Sequence, residues 1–327
     1  MKKINNLPVI EYTNLSKLID KRRILLISSP SALIHSKKYL SSLNIVSNLN
    51  INTANKKNID KIALPKDNID LCYAIGGGRV IDISRYLASK WNLEIICVPT
   101  IISTDAFLVD CTGLRENGGV TYIPSKKADK VIIDFDLIKK SNSKYNLSGC
   151  GDVLSIYTAL FDWKESKENL SSSVYDVAQG ILTGLISESD EIKKMSQRGL
   201  EVLITQLALE VQLCYFYGNS RPEEGGEHFF VYCLENKIGA ALHGEMVCFG
   251  ILITSFLQGQ SVTYIKEFMD KVGINYRPKG LSASVVFETL MEMPQYIKDH
   301  HLARSVYNYY PFKKKETEIK QFISSVL

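Results

Sequence analysis

Along the first half of the chain, apolar residues gather in short blocks closed by turn-forming residues. Arg23-Ile24-Leu25-Leu26-Ile27-Ser28-Ser29, Leu71-Cys72-Tyr73-Ala74-Ile75 and Glu94-Ile95-Ile96-Cys97-Val98-Pro99 have the length and near-unbroken hydrophobicity of strands buried on both faces. Ile45 to Ile51 is a weaker version of the same pattern. Arg79 to Lys90 differs: Val80, Ile83, Tyr86 and Leu87 fall on one helical face. Strand, crossover helix and strand in that order predict parallel pairing. Val120 to Ile123 and Lys130 to Asp134 read as later strands, with a hairpin around Gly118-Gly119, and Asn48 to Lys66, rich in asparagine and lysine, reads as a surface segment.

Past Ser148 the period changes from strand to helix. Helices are predicted over Asp152 to Lys167, Ser173 to Leu185, Ile192 to Tyr217, His228 to Glu235, His243 to Gln258 and Ile265 to Val272, and strand signals nearly vanish. The expected organisation is an α/β domain with a parallel sheet over residues 1–147, followed by an all-helical domain over 148–327.

Composition narrows the class. Hydrophobic residues make up 45% and charged residues 23% of the 327, ordinary for a globular protein. The net charge of +4 is diffuse, and no basic run is interleaved with aromatics as a nucleic-acid groove would be, so no nucleic-acid partner is expected. The seven cysteines are scattered without a CxxC, which points to free thiols in a reducing cytosol. MKKINNLPVIEY lacks the apolar core of a signal peptide, and no uncharged apolar run has the length of a membrane span. A cytoplasmic protein with a small-molecule substrate follows; a homo-oligomer is compatible with all of this.

Three places carry candidate chemistry. His228 and His243, two of only five histidines, lie fifteen positions apart at predicted helix starts, and Asp152 opens another apolar helix. Two imidazoles and a carboxylate are three ligands for a divalent metal, leaving a coordination position open as a catalytic metal requires; each histidine alone is equally a cap or a packed side chain. Gly76-Gly77-Gly78 follows a strand and opens a helix, where glycines permit close approach or positive φ and a helix N-terminus attracts a pyrophosphate. Asp82, one turn on, serves as a ligand contact or compensates the helix dipole. Thr100, Ser103, Thr104 and Asp105 follow the next strand, at the edge where open α/β sheets bind ligands, although Ser103 or Asp105 would also suit a helix N-cap.

Taken together, these segments resemble the metal-dependent polyol dehydrogenase superfamily: glycerol dehydrogenase, iron-containing alcohol dehydrogenases, sn-glycerol-1-phosphate dehydrogenase and, more distantly, 3-dehydroquinate synthase. GGGRVID resembles their GGGKxxD loop, PTIISTDA the PTxxSTDA segment, GCGDVLS the GxGDxxS motif, NSRPEEGGEH the SRPxSGSEH motif and LHGEMVCFG the LHGE motif, in the same order. The resemblance runs from about Ile69 to about Gly259, and Phe107 to Asn117 and Asp299 to Arg304 depart from it. It implies a Rossmann-like nucleotide-binding domain, a helical metal-binding and substrate domain in a dehydroquinate synthase-like fold, and an active site between them. Carried over, Asp152, His228 and His243 are the metal ligands and also act in catalysis. Gly76, Gly77, Gly78 and Asp82 lie at the cofactor pyrophosphate loop, Thr100, Ser103 and Thr104 beside the nicotinamide half, and Asp105 near the substrate hydroxyls.

The implied activity is NAD- or NADP-dependent interconversion of a small keto-polyol phosphate and its alcohol, with dihydroxyacetone phosphate reduction to sn-glycerol 1-phosphate the nearest model. The alternatives are a polyol dehydrogenase acting on an unphosphorylated substrate and a sugar-phosphate cyclase. The cyclases carry GGGxxGD and a glutamate as first ligand, against GGGRVID and Asp152 here. The metal is zinc foremost, with iron or another divalent ion open. Ile45 to Ile51 ends without an acid for the adenosine ribose, which keeps NADP in play. Arg221 suits a substrate phosphate or an ion pair with Glu223 or Glu227; Glu227 and Glu245 are candidates to orient the imidazoles; His300 and His301 read as a solvated pair or as proton-transfer groups.

Overall fold

The fully apolar blocks form the middle of a sheet. In the computed structural model, which describes residues 7–116, 119–168, 170–238 and 241–327, Leu71–Gly76 is buried at every position and Glu94–Pro99 at all but its first. The chain divides into two compact units, one within Asn6–Asn146 and one over Leu147–Leu327.

The first unit contains β1 (Val9–Tyr12), β2 (Asp20–Ser28), α1 (Pro30–Ser36), β3 (Leu43–Asn50), α2 (Lys56–Ile59), β4 (Leu71–Gly76), α3 (Gly78–Trp91), β5 (Glu94–Pro99), β6 (Cys111–Glu116), β7 (Gly119–Pro124), β8 (Lys130–Ile133) and α4 (Phe135–Ile138), with α5 (Ser143–Leu147) reaching its end. Six strands form a parallel sheet in the order β1-β8-β5-β4-β2-β3. Interior strands of a parallel sheet are covered on both faces, hence their unbroken apolar runs. β3 is an edge strand whose burial alternates, which is why its pattern is weaker; it also carries Asn48 to Asn50, so the asparagine-rich segment begins on this strand, with Asn48 and Asn50 exposed as a surface segment requires. The sequence reading missed β1 and gave no bounds for β6, the first strand of the hairpin it expected. β6 pairs with β7 as an antiparallel hairpin apart from the main sheet; Gly118 lies outside the described residues, while Gly119 opens β7.

Successive strands run outward from β2 to β3, and in the opposite direction from β4 through β5 to β8. The carboxyl ends of β2 and β4 therefore flank a point where the strand order reverses, the usual place for a ligand crevice. Ser28 and Ser29 stand at one side of it and Gly76 to Gly78 at the other; Ser29 caps α1 by accepting from the Ala32 amide.

The second unit is helical over its described residues: α6 (Cys150–Glu165), α7 (Ser172–Ser187), α8 (Ser189–Lys193), α9 (Gln197–Tyr217), α10 (Gly226–Ile238), α11 (His243–Gln258), α12 (Val262–Val272), α13 (Ala283–Asp299) and α14 (Glu316–Val326). The single helix expected over Ile192 to Tyr217 is two. Met195 adopts φ 45°, Ser196 caps α9 by accepting from the Gly199 amide, and α8 passes so close that a Cβ on Gly199 would lie 2.2 Å from the Glu191 carbonyl oxygen. α9 is 21 residues long and apolar enough by length and composition to cross a membrane, but 44% of its apolar stretch is buried inside the protein and Glu210 lies within the buried face. α11 is buried on nearly every side, as a central helix must be. The seven cysteines are free, five of them buried.

One buried cation secures the hairpin of the first unit. Arg85, fully buried on α3, donates to Asp82 (2.6 Å) and to the carbonyls of Val109 and Cys111 at the entry to β6. Replacing it by methionine leaves those acceptors buried without their donor and is expected to cost about 3 kcal/mol. Urea unfolding followed by circular dichroism measures this; a loss below about 1 kcal/mol refutes the strut.

Candidate active site

Two glycines set the geometry of the second unit's polar centre. α6 and α11 approach so closely that a Cβ on Gly151 would lie 2.7 Å from the Gly244 carbonyl oxygen, and one on Gly244 would lie 1.8 Å from that of Ser148. Asp152 and His243 are the chain neighbours of those glycines, so the crossing brings them together, with His243 Nε2 3.9 Å from Asp152 Oδ1. α10 contributes His228, whose ring centroid lies 5.5 Å from that of His243. One ligand-type atom from each of Asp152, His228 and His243 lies within 4.8 Å of the others. Three such atoms around a metal at ~2.1 Å would be ~3.4 Å apart in a tetrahedral arrangement, so a small contraction of this cluster accommodates a divalent ion.

The imidazoles are held from behind. Glu227, fully buried, receives the Gly225 amide (2.7 Å), the Thr158 hydroxyl (2.6 Å) and His228 Nδ1 (3.0 Å). With Nδ1 donating to a carboxylate, Nε2 of His228 is the nitrogen left to present a lone pair once the ring is neutral. His243 Nδ1 faces Glu235 of α10 at 3.5 Å, leaving Nε2 toward Asp152. Glu227 therefore has the orienting position expected of it, whereas Glu245, though buried, bonds neither histidine among the described residues. Glu235 was not anticipated, because nothing separates it in sequence from the other polar residues near the end of α10.

Charge follows this arrangement. Burial of His228 works against its charged form, but the hydrogen bond and charge of Glu227, with the charges of Glu224 and Asp152, outweigh it and raise the pKa to about 9. Asp162, on α6, is raised to about 7 by burial and by the Glu227 charge, against hydrogen bonds from Gln258 and the Gly226 and Val306 amides.

In the first unit, the glycine loop behaves differently from the sequence expectation. None of Gly76, Gly77 and Gly78 has positive φ. They are required by space: a Cβ on Gly77 would lie 2.7 Å from Ile101 Cδ1, and one on Gly78 2.7 Å from Thr104 Oγ1. The loop after β5 thus lies directly over the start of α3. Thr100 donates its amide to the Gly76 carbonyl, and Asn146 accepts from the Ile102 amide. Thr104 and Asp105 lie in turns, and no helix begins there, so neither Ser103 nor Asp105 is a helix N-cap. The start of α3 has no side-chain cap and no acidic residue in its first turn, an arrangement open to an anion. Asp82, one turn further on, pairs with Arg85.

One further reading is revised. Arg221 is buried and pairs with Glu168 (3.1 Å) rather than Glu223 or Glu227, and it donates to the Arg304 carbonyl (2.8 Å), so it braces two loops. His300 is exposed, as a solvated histidine would be, and its ring lies tilted against that of Tyr296, with centroids 4.2 Å apart.

A family model described as iron-containing alcohol dehydrogenase matches residues 32–141. Among curated proteins, the chain is 30% identical to a glycerol-1-phosphate dehydrogenase (NAD(P)+) of Methanospirillum hungatei, over 68% of this chain and 64% of that one. It is likewise 30% identical to the protein of that name from Archaeoglobus fulgidus, over 68% and 67%. The chain thus spans about two thirds of the length of these relatives. Among solved structures, glycerol dehydrogenase from Schizosaccharomyces pombe superposes with a TM-score of 0.71 at 18% identity, covering 99% of this chain and 90% of that one. An iron-containing alcohol dehydrogenase from Corynebacterium glutamicum gives 0.72 at 14%, covering 100% and 97%. At these identities the structures share the fold: a parallel sheet followed by a helical unit.

A raised histidine pKa stabilises the metal-free fold fully below the unfolded value of 6.5, and this contribution is lost as pH rises through about 9. In chelator-treated protein, the His228 ring resonances are therefore expected to titrate near 9 by NMR, and to move to the neutral range in Glu227→Gln. A midpoint at or below 6.5 in the parent refutes the coupling to Glu227.

Proposed function

The chain belongs to the glycerol-1-phosphate dehydrogenase family, and on that premise we propose that it interconverts dihydroxyacetone phosphate and sn-glycerol 1-phosphate, using NADH or NADPH and one divalent metal ion. The observation that carries this reading is the convergence of Asp152, His228 and His243 from three separate helices.

The donor set fits a catalytic metal. Two neutral imidazoles and a carboxylate suit zinc foremost and iron also, and three protein ligands leave room for substrate oxygen. When bound, the ion polarises the carbonyl that accepts hydride from the nicotinamide. Asp152 offers its carboxylate from α6, and Glu227 and Glu235 fix the two rings so that each presents Nε2. Because ligation needs a neutral imidazole, His228 gives up its proton when the metal enters. In the first unit, Gly76 to Gly78 let the uncapped start of α3 meet a pyrophosphate; Thr100, Ser103 and Thr104 are assigned to the nicotinamide half and Asp105 to the substrate hydroxyls. β3 ends at Asn50 and no acidic residue follows before Asp60, which supports use of NADPH as well as NADH.

A second reading, reduction of an unphosphorylated keto-polyol, is favoured by one observation: Arg221, the clearest phosphate candidate in the sequence, is already engaged by Glu168 and the Arg304 carbonyl. We place the enzyme in the cytoplasm, reading α9 as a core helix because its apolar face and Glu210 are buried in the helical unit.

With metal restored after chelation, the parent is expected to oxidise NADH or NADPH one-for-one with dihydroxyacetone phosphate, and faster than with dihydroxyacetone. Asp152→Ala should lose bound metal and on the order of 10³-fold in kcat/KM, the scale of a lost Lewis acid. Steady-state rates and metal analysis decide it. A parent that turns over a sugar phosphate without net cofactor consumption is a cyclase, and an Asp152→Ala variant as active as the parent sinks the metal assignment.

A further inference from the structure

We infer that Asp162 is a positioning residue for the metal centre, the hub of a buried polar relay joining the three helices that carry Asp152, His228 and His243. The inference rests on the proposed metal-binding role of those residues.

α6 supplies Asp152 near its start, and its later turns hold the helix of the second ligand. α10 begins at Gly226, after a glycine with no side chain to cap it. Its first amides are taken by carboxylates instead: Glu227 accepts from Gly225 (2.7 Å), and Asp162 Oδ2 accepts from Gly226 (2.8 Å). Thr158, one turn before Asp162 on α6, donates to Glu227, which in turn holds His228. The third helix joins through Gln258 of α11, whose side-chain amide donates to the Thr158 carbonyl (3.0 Å). The other oxygen of Asp162 accepts from the Val306 amide (2.8 Å), fixing the turn that carries Tyr307; the Tyr307 hydroxyl lies 3.0 Å from Thr254 of α11. Asp162 and Glu227 are both at least 99% buried, and Gly225 and Gly226 lack the Cβ that would push either carboxylate away: it would lie 3.2 Å and 2.9 Å from Asp162 Oδ2.

This arrangement assigns Asp162 more than a share of the core. A carboxylate accepts two amides at once, one on each oxygen; an asparagine of the same shape has one acceptor oxygen, and its NH2 faces the second amide. The Gly226 or Val306 end must then move, and His228 lies two residues along from Gly226.

The test uses the full-length protein stripped of metal and reloaded with zinc or cobalt(II). Asp162→Asn is expected to weaken zinc binding about tenfold and to alter the visible ligand-field bands of the cobalt form at temperatures where it is fully folded. Thr158→Val should do the same through Glu227, and Thr158→Ser, which keeps the hydroxyl, should restore the parent's values. Leu290→Ala, in the apolar core of the same unit, lowers stability without touching the relay and should leave affinity and spectrum unchanged. Should Asp162→Asn fail to fold, the valine and serine variants of Thr158 decide the matter. Folded variants with the parent's zinc affinity and cobalt spectrum overturn the role of Asp162 while leaving the metal site standing. A parent that binds neither ion removes the proposed function, and the relay's purpose with it.

Discussion

The contact on which the polar centre depends is one of backbone against backbone. Where α6 meets α11, Gly151 and Gly244 bring the two chains within a distance that no side chain tolerates. Larger residues there would separate the helices by several ångströms, and the carboxylate of Asp152 would no longer stand opposite the imidazole of His243. The same economy recurs where α10 passes α11: a Cβ on Gly250 would lie 2.8 Å from the Glu227 carbonyl oxygen. Three helices meet tightly because the residues at their crossings have no side chains, and the polar groups sit immediately beside those crossings.

Around this contact the polar residues are arranged in tiers. Asp152, His228 and His243 face one another; Glu227 and Glu235 grip the rings; Thr158, Asp162 and Gln258 tie the grips back to the helices. Burying so many carboxylates costs free energy unless each is matched by donors or by charge. Backbone amides, hydroxyls and imidazoles supply much of that here, and a divalent cation would supply the remainder. A metal held there and the buried acids would thus be parts of one electrostatic balance.

The elements legible in the sequence are those whose surroundings are uniform. β4 and β5 are covered on both faces and read as solid apolar blocks; α11, buried all round, was delimited correctly from its residues. Elements with mixed surroundings were obscured. β1 is four residues long and partly exposed, and β6 buries only Thr112 and Leu114. The break between α8 and α9 is made by a left-handed Met195, a residue that gives no warning of a turn, and α13 carries Pro294 within it, an ordinary sign of a helix end. The ligand candidates were legible only because their motifs occur in a known order. Their supports were not: Asp162, beside Trp163 in an apolar helix, looks like any solvent-facing acid until the fold surrounds it. The glycine loop was located from sequence but its reason was not, since crowding by Ile101 and Thr104 is a tertiary fact.

β1 and β8 illustrate a different kind of dependence. They pair in parallel at one edge of the sheet, and the Glu11–Lys130 ion pair that flanks them joins residues 119 positions apart. During synthesis the segment that becomes β1 has no partner in β8 until the chain between Glu11 and Lys130, 119 positions apart, has been made. Its short length, with the charge of Glu11 in it, limits pairing elsewhere during that interval. Closing so long a loop delays completion of the sheet's edge, so the first unit reaches its final form by late capture of β1 against β8.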